Sequence, residues 1–300
     1  MRNIKLLIEY DGKDFNGWQK QPNKLNIQGE IERAIKEITK EDDIELNASG
    51  RTDAGVHALG QVANFKTNSN MPVEKFPIAI NSKVKKSIVI KNAEEVEERF
   101  HSRYNCKQKT YRYIINNSEY GSAIYRNQEY HVPQKLDIEA MKKAIKYFEG
   151  EHDFKGFKAS GTSSKNSVRK IFKTSIEKNA DERIFIELTG SGFLYNMVRI
   201  ISGTLVDVGL GKINADEIPE IILSGDRQRA GKTLPPQGLY LLKVEYWAIG
   251  DVSLLCILHN WGQIYDWTYL THNWTPIQNW NYVIAKNILT LRHAYWPVLA

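Results

Sequence analysis

Apolar and polar residues alternate over Ile4 to Glu9, the period of a half-buried strand, and Asp11-Gly12 then marks a turn. The period changes next. Ile27, Ile31, Ala34, Ile35 and Ile38 recur at helical spacing behind Asn26, a residue type whose side chain accepts from the free N–H groups that begin a helix. Strands are predicted around Ile44 to Asn47 and Gln61 to Phe65, a second helix near Val73 to Ile80, and a strand at Ser87 to Lys91. The same order then returns. Tyr111, Tyr113 and Ile115 share one face of a strand over Lys109 to Ile115. Ile138, Met141, Ala144, Ile145 and Phe148 form the stripe of a helix with Asp137 as cap and Gly150 as stop. Strands at Lys170 to Glu177 and Arg183 to Leu188, a helix beginning near Tyr195, and a strand at Leu239 to Tyr246 complete the second run. Two β-α-β-β-α-β runs in one α+β chain predict two ferredoxin-like halves, over residues 1–105 and 106–247.

From Trp247 onward the pattern is lost. This stretch holds six of the seven tryptophans, and its charged residues are Asp251, Asp266, Lys286 and Arg292. Residues 248–300 either add strands or a domain that packs on the body, or are a segment of unusual origin, such as a fusion or readthrough product, with no established fold. The second reading is preferred, because a charge-poor aromatic surface is an aggregation liability unless it is covered.

Composition removes several classes. With 42% hydrophobic and 25% charged residues the chain is neither disordered nor fibrous. No apolar run approaches the roughly 18 residues of a membrane span. Arg2 and Lys5 interrupt any signal-peptide core, so a cytoplasmic protein is expected. Cys106 and Cys256 are too few for a disulfide framework or a zinc site. The net charge of +6 suits a polyanionic partner such as nucleic acid, an argument that is weak alone.

The informative segment is Ser49-Gly50-Arg51-Thr52-Asp53-Ala54-Gly55-Val56-His57-Ala58, which sets one carboxylate between two glycines after a predicted strand. Glycines let a polymer approach that carboxylate closely. Arg51 and Asp53 project the same way if strand geometry persists, and a guanidinium beside the carboxylate keeps it ionised, as a nucleophile requires. An isolated Gly-x-x-Asp-x-Gly more often caps a turn. Context decides the matter. The segment resembles the signature of the TruA-type tRNA pseudouridine synthase family and continues with Gly60-Gln61-Val62 as that family does. Further matches follow in the family's order: Glu9-Tyr10-Asp11-Gly12 with Gly17-Trp18-Gln19; Phe100-His101 with Arg103; Tyr111-Arg112-Tyr113; Phe193-Leu194-Tyr195-Asn196-Met197-Val198-Arg199; and Gly238-Leu239-Tyr240-Leu241.

The resemblance implies a pseudouridine synthase fold, with a central sheet and an active-site cleft between the halves. It implies isomerisation of uridine to pseudouridine at positions 38, 39 and 40 of the tRNA anticodon stem-loop, by a homodimer, without metal or organic cofactor. Asp53 matches the family's nucleophile, which attacks C1′ of the sugar or C6 of the base, a choice the sequence leaves open. Tyr111 matches the tyrosine that stacks on the target base, Arg199 the basic partner of the aspartate, and Arg51 the arginine that enters the helical stack as the uridine flips out. Lys109-Thr110 departs from the second basic residue that the family often carries before the tyrosine. Candidates for an RNA-tracking surface are Lys83, Lys85, Lys86, Lys107, Lys109, Lys155, Lys158, Lys165, Arg169 and Lys170. His57 is assigned to packing or loop hydrogen bonding. Gly225 to Thr233 resembles a phosphate loop but has five residues between the glycines where the motif needs four, and Pro235-Pro236 opposes the helix that must follow. A catalytically silent ferredoxin-like RNA-binding protein is the alternative, and the Asp53, Tyr111 and Arg199 set argues against it.

Overall fold

β1 (Arg2–Tyr10) buries Ile4, Leu6, Ile8 and Tyr10 on one face and leaves Leu7 exposed, so the amino-terminal alternation is that of a sheet covered on one side. The computed structural model describes residues 1–159 and 166–247; Lys165 and the Trp-rich stretch 248–300 lie outside the described residues. α1 (Ile27–Thr39) starts where the Asn26 side chain accepts from the Gly29 N–H at 2.8 Å. β2 (Asn47–Ala48) is shorter than the strand predicted there. The backbone of Leu46 is taken by side chains of α1 instead: its N–H donates to Glu32 and its carbonyl accepts from Gln28. β3 (His57–Thr67) follows, then α2 (Phe76–Asn81) and β4 (Ile88–Val96). The helix predicted from Val73 is a 3₁₀ turn as far as Lys75, because Pro77 has no N–H to bond back and fits only the first turn of an α-helix.

β5 (Cys106–Asn116), β6 (Tyr130–His131), α3 (Ile138–Lys146) and β7 (Gly150–Asp153) come next. Asp137 caps α3 by accepting from the Ala140 N–H at 3.0 Å. Gly150 is not the stop: α3 ends at Lys146, and Gly150, with φ of +106°, opens β7. β8 (Val168–Lys178), β9 (Arg183–Gly190), α4 (Met197–Gly209), α5 (Ile218–Ser224) and β10 (Leu239–Tyr246) complete the described chain. β6, β7 and α5 were not legible in the sequence because each is too short to show a period.

The strands form one mixed sheet in the order β4-β1-β3-β10-β5-β9-β8-β7, with β2 added to β3 and β6 to β5. β4-β1-β3-β2 and β10-β5-β9-β8 are antiparallel paths, and they join where β3 and β10 run parallel through two residue pairs, Tyr240 with His57 and Leu241 with Ala58. Leu241 also stands opposite Tyr111 on β5. The first residues of β3, and so the Asp53 loop that leads into them, are therefore one strand removed from Tyr111.

α4 is set by a close backbone approach. A Cβ on Gly203 would lie 1.8 Å from the Lys232 carbonyl oxygen, and the Gly231 N–H donates to Thr204 Oγ1 at 2.9 Å. Gly203→Ala is expected to lower stability by about 2 kcal/mol or more, read as a fall in the thermal midpoint. A midpoint unchanged from the parent would show that residues 230–232 can retreat without cost.

Candidate active site

The loop from Ser49 to Val56 is held from three directions. Gln61, on β3, donates to the Gly50 carbonyl at 2.9 Å and accepts from Ser49 Oγ at 2.7 Å. From the segment after β1, the Trp18 N–H donates to the Thr52 carbonyl at 3.0 Å, and Tyr10 and Thr52 share a hydroxyl hydrogen bond of 2.7 Å. From β5, the Lys109 ammonium donates to the Ser49 carbonyl at 2.6 Å. Two glycines make the fit possible: Gly17 has φ of +85° with its missing Cβ 2.6 Å from the Thr52 carbonyl, and Gly55 has φ of +78°. Asp53 therefore sits on a turn closed by the Val56 N–H donating to its own carbonyl at 3.1 Å.

Strand geometry does not persist to Asp53, since β2 ends at Ala48. Arg51 is exposed and makes no ion pair with Asp53 among the described residues. The guanidinium facing Asp53 belongs to Arg199, in the first turn of α4, with Nη1 3.8 Å from Asp53 Oδ2. Arg199 stands in the chain between Val198 and Ile200, both buried. It also donates to the Leu234 carbonyl and to Asn196 Oδ1, each at 2.6 Å. Burial pushes the Asp53 carboxyl above its ordinary pKa, and the Arg199 charge offsets part of that rise.

Tyr111 is 8% exposed, and its ring meets Phe193 edge-on at 5.1 Å between centroids. Burial, then Tyr10 and Asp53, push its hydroxyl well above the usual phenol pKa, so it stays protonated in the working range of a protein. His57 points away from this chemistry. The Gly12 N–H donates to its Nδ1 at 3.1 Å, its Nε2 is 3.0 Å from the Asn127 carbonyl, and its ring stacks on Tyr240. Within Gly225 to Thr233, Arg227 donates to the Ala230 and Gly231 carbonyls and to Thr233 Oγ1.

Asp53, Arg51 and Tyr111 line one cleft of about 680 Å³ together with Trp18, Phe193 and Tyr195. Basic side chains on its wall, Arg51, Arg103, Lys109 and Arg169, suit an anionic polymer. A family model described as tRNA pseudouridine synthase matches residues 6–105 and 144–247. The chain belongs to the tRNA pseudouridine synthase family. Its members are isomerases that convert uridine in tRNA to pseudouridine. It is 55% identical over 246 residues to tRNA pseudouridine synthase A of Acetivibrio thermocellus, covering 82% of this chain and all of that one. The counterpart from Caldicellulosiruptor saccharolyticus gives the same values. The synthase designated A 2 from Clostridium perfringens is 54% identical over the same shares.

Within this isomerase, sequence reasoning underrated two residues. Lys109, one of many cations that the sequence offers for an RNA-tracking surface, is half-buried against the Asp53 loop. Tyr10, read only as part of a motif, holds Thr52 beside Asp53. The signal for Lys109 was present in its i, i+2 spacing from Tyr111 on one strand face. Among the described residues no cluster of His, Cys, Asp or Glu is arranged to hold a metal ion, and no helix is long and apolar enough to cross a membrane.

Proposed function

We propose that this enzyme isomerises uridines at positions 38, 39 and 40 of the tRNA anticodon stem-loop, using Asp53 as the nucleophile toward a base flipped into the cleft. The observation that carries the reading is a half-buried carboxylate in a basic cleft, 3.8 Å from one guanidinium and close to a buried tyrosine ring. A stacked nucleotide hides C1′ and C6 from such a carboxylate, and extrusion at the end of a stem costs only about a few kcal/mol. The ionised Asp53 attacks C1′ or C6, the glycosidic bond breaks, and the uracil turns within the pocket. C5 then bonds to C1′, the C5 proton is lost to a base or water, N1 takes up a proton in its place, and the carboxylate is released. No electrons are exchanged with an outside carrier, so the chemistry asks for no redox cofactor.

Arg199 favours the charged form of Asp53. Tyr111 offers its ring to the base, and its protonated hydroxyl serves as a proton relay rather than as a phenolate base. Arg51, exposed at the cleft, enters the space that the uridine leaves. Each four-strand path reads as a ferredoxin-like half, with the division at residues 105 and 106 between β4 and β5. Residues 248–300 form a third, atypical segment in this scheme. The resemblance supports a homodimer acting on tRNA, and Arg2 and Lys5, which interrupt any signal-peptide core, support a cytoplasmic location.

Tritium release from tRNA labelled at uridine C5 tests the positions: cytidine at 38, 39 and 40 together is expected to abolish release, and release that persists would overturn the assignment. Tyr111→Phe keeps the ring and removes the hydroxyl. It is expected to leave KM near the parent value and to lower the single-turnover rate by about 10². An unchanged rate would reduce the role of Tyr111 to stacking.

A further inference from the structure

Lys109 precedes Tyr111 by two residues on β5, so its side chain leaves the sheet on the same side and enters the same cleft. A Cβ on Gly50 would lie 3.1 Å from its nitrogen, so the glycine leaves the space that the ammonium occupies. The bond to the Ser49 carbonyl uses one of the three donors that a lysine carries. No carboxylate pairs with this ammonium among the described residues. Burial lowers its pKa, and Arg103 pushes the same way while Cys106 opposes. Arg103 lines the same cleft, stands over the Tyr104 ring at 5.9 Å, and also has no ion pair among the described residues. The acidic groups on this wall are Asp53, which faces Arg199, and Glu45, which is exposed and bonded to neither cation.

Two neighbouring cations, one of them half-buried, repel each other and have no carboxylate partner among the described residues. An anion that arrives with the ligand relieves this repulsion. A phosphodiester supplies one negative charge and oxygens that accept from several donors, which matches the two unused ammonium donors and the guanidinium fork.

We propose that Lys109 and Arg103 together bind one backbone phosphate of the RNA beside the reacting uridine, fixing the register of the strand relative to Asp53. The inference rests on the cleft being the RNA site. Lys109 thereby joins the catalytic loop, through Ser49, to the substrate backbone that the loop must meet.

The test measures KM and kcat against salt concentration for Lys109→Met, Arg103→Gln, the double variant and Lys109→Arg. Each single variant is expected to reduce the slope of log KM against log salt by about 0.7, with no further reduction in the double variant, because both cations serve one phosphate. Lys109→Arg is expected to restore the slope. A tRNA carrying a methylphosphonate at one linkage flanking the target uridine is expected to raise KM about tenfold for the parent protein and not for the double variant. Unchanged slopes, or an equal methylphosphonate penalty in both proteins, would overturn the proposal. So would a loss confined to kcat, which would leave Lys109 as a strut for the Ser49 loop. The Arg103 side chain makes no bond to that loop, so Arg103→Gln carries the test even if Lys109→Met fails to fold. Slopes are read on whichever uridine is isomerised, so failure here leaves the roles of Asp53 and of positions 38, 39 and 40 to their own experiments.

Discussion

Asp53→Ala is expected to lower tritium release from C5-labelled tRNA by on the order of 10⁴-fold or more, with tRNA still bound. The loss follows from chemistry rather than folding. Asp53 is a loop residue whose backbone is held by Tyr10, Trp18, Gln61 and Lys109 through its neighbours Ser49, Gly50 and Thr52, none of which the substitution touches. Binding is expected to hold or to tighten. Removing the carboxylate leaves Arg199 without its counter-charge and makes the cleft more positive toward an anionic polymer. Asp53→Asn separates the two properties of the side chain, since it keeps the shape and removes the charge, and it is expected to be as inactive as the alanine variant. Release by either variant at a tenth of the parent rate would remove Asp53 as the nucleophile.

Arg199→Met is expected to move the acid limb of the kcat profile to higher pH. Asp53 must be ionised to attack, so activity is lost as pH falls through its pKa. Burial already holds that pKa above the ordinary carboxylate value, and the Arg199 charge works against burial. Without the guanidinium the rise is unopposed, and the carboxyl is protonated over a wider range. Activity near neutral pH therefore falls, and it recovers in part as pH is raised. Arg199→Lys keeps the charge and is expected to stay closer to the parent limb. A second effect accompanies the first. The Leu234 carbonyl and Asn196 Oδ1 lose their donor, which costs about 1 to 3 kcal/mol in stability. A thermal midpoint measured beside the pH profile separates the two effects, and a limb that does not move would show that Arg199 acts through packing alone.

Most of the strand and helix order was legible because it was written in period. The alternation at Ile4, Leu6 and Ile8 and the stripe at Ile27, Ile31, Ala34 and Ile35 each mark a buried face. The caps at Asn26 and Asp137 were readable for the same local reason: a side chain three residues from an N–H needs no distant partner to form its bond. The errors arose where a distant group competes. Ile44 to Leu46 has the composition of a strand, yet Gln28 and Glu32 on α1 take its backbone bonds. Gly150 has the residue type of a helix stop, yet it is used to open β7 against β8.

At the site the division is the same. Sequence alone sets one carboxylate, Asp53, between two glycines after a strand, and its resemblance to the family points to Asp53 as the nucleophile and to Arg199 as its basic partner. The sequence offered two cations, Arg51 by strand spacing and Arg199 by the resemblance, and tertiary structure decided which of them faces Asp53. Arg51 and Arg199 are equally charged on paper, and only the packing of α4 against residues 230–234 brings Arg199 to 3.8 Å while Arg51 stays exposed. It also decided that Lys109 is a cation of the cleft rather than of the outer surface, because the parallel join of β3 to β10 sets the Asp53 loop beside β5. Chain-local periods and caps depend on neighbours within a few residues, whereas Asp53 and Arg199 are more than a hundred positions apart and Lys109 and Ser49 are 60 apart, separations that no local pattern encodes.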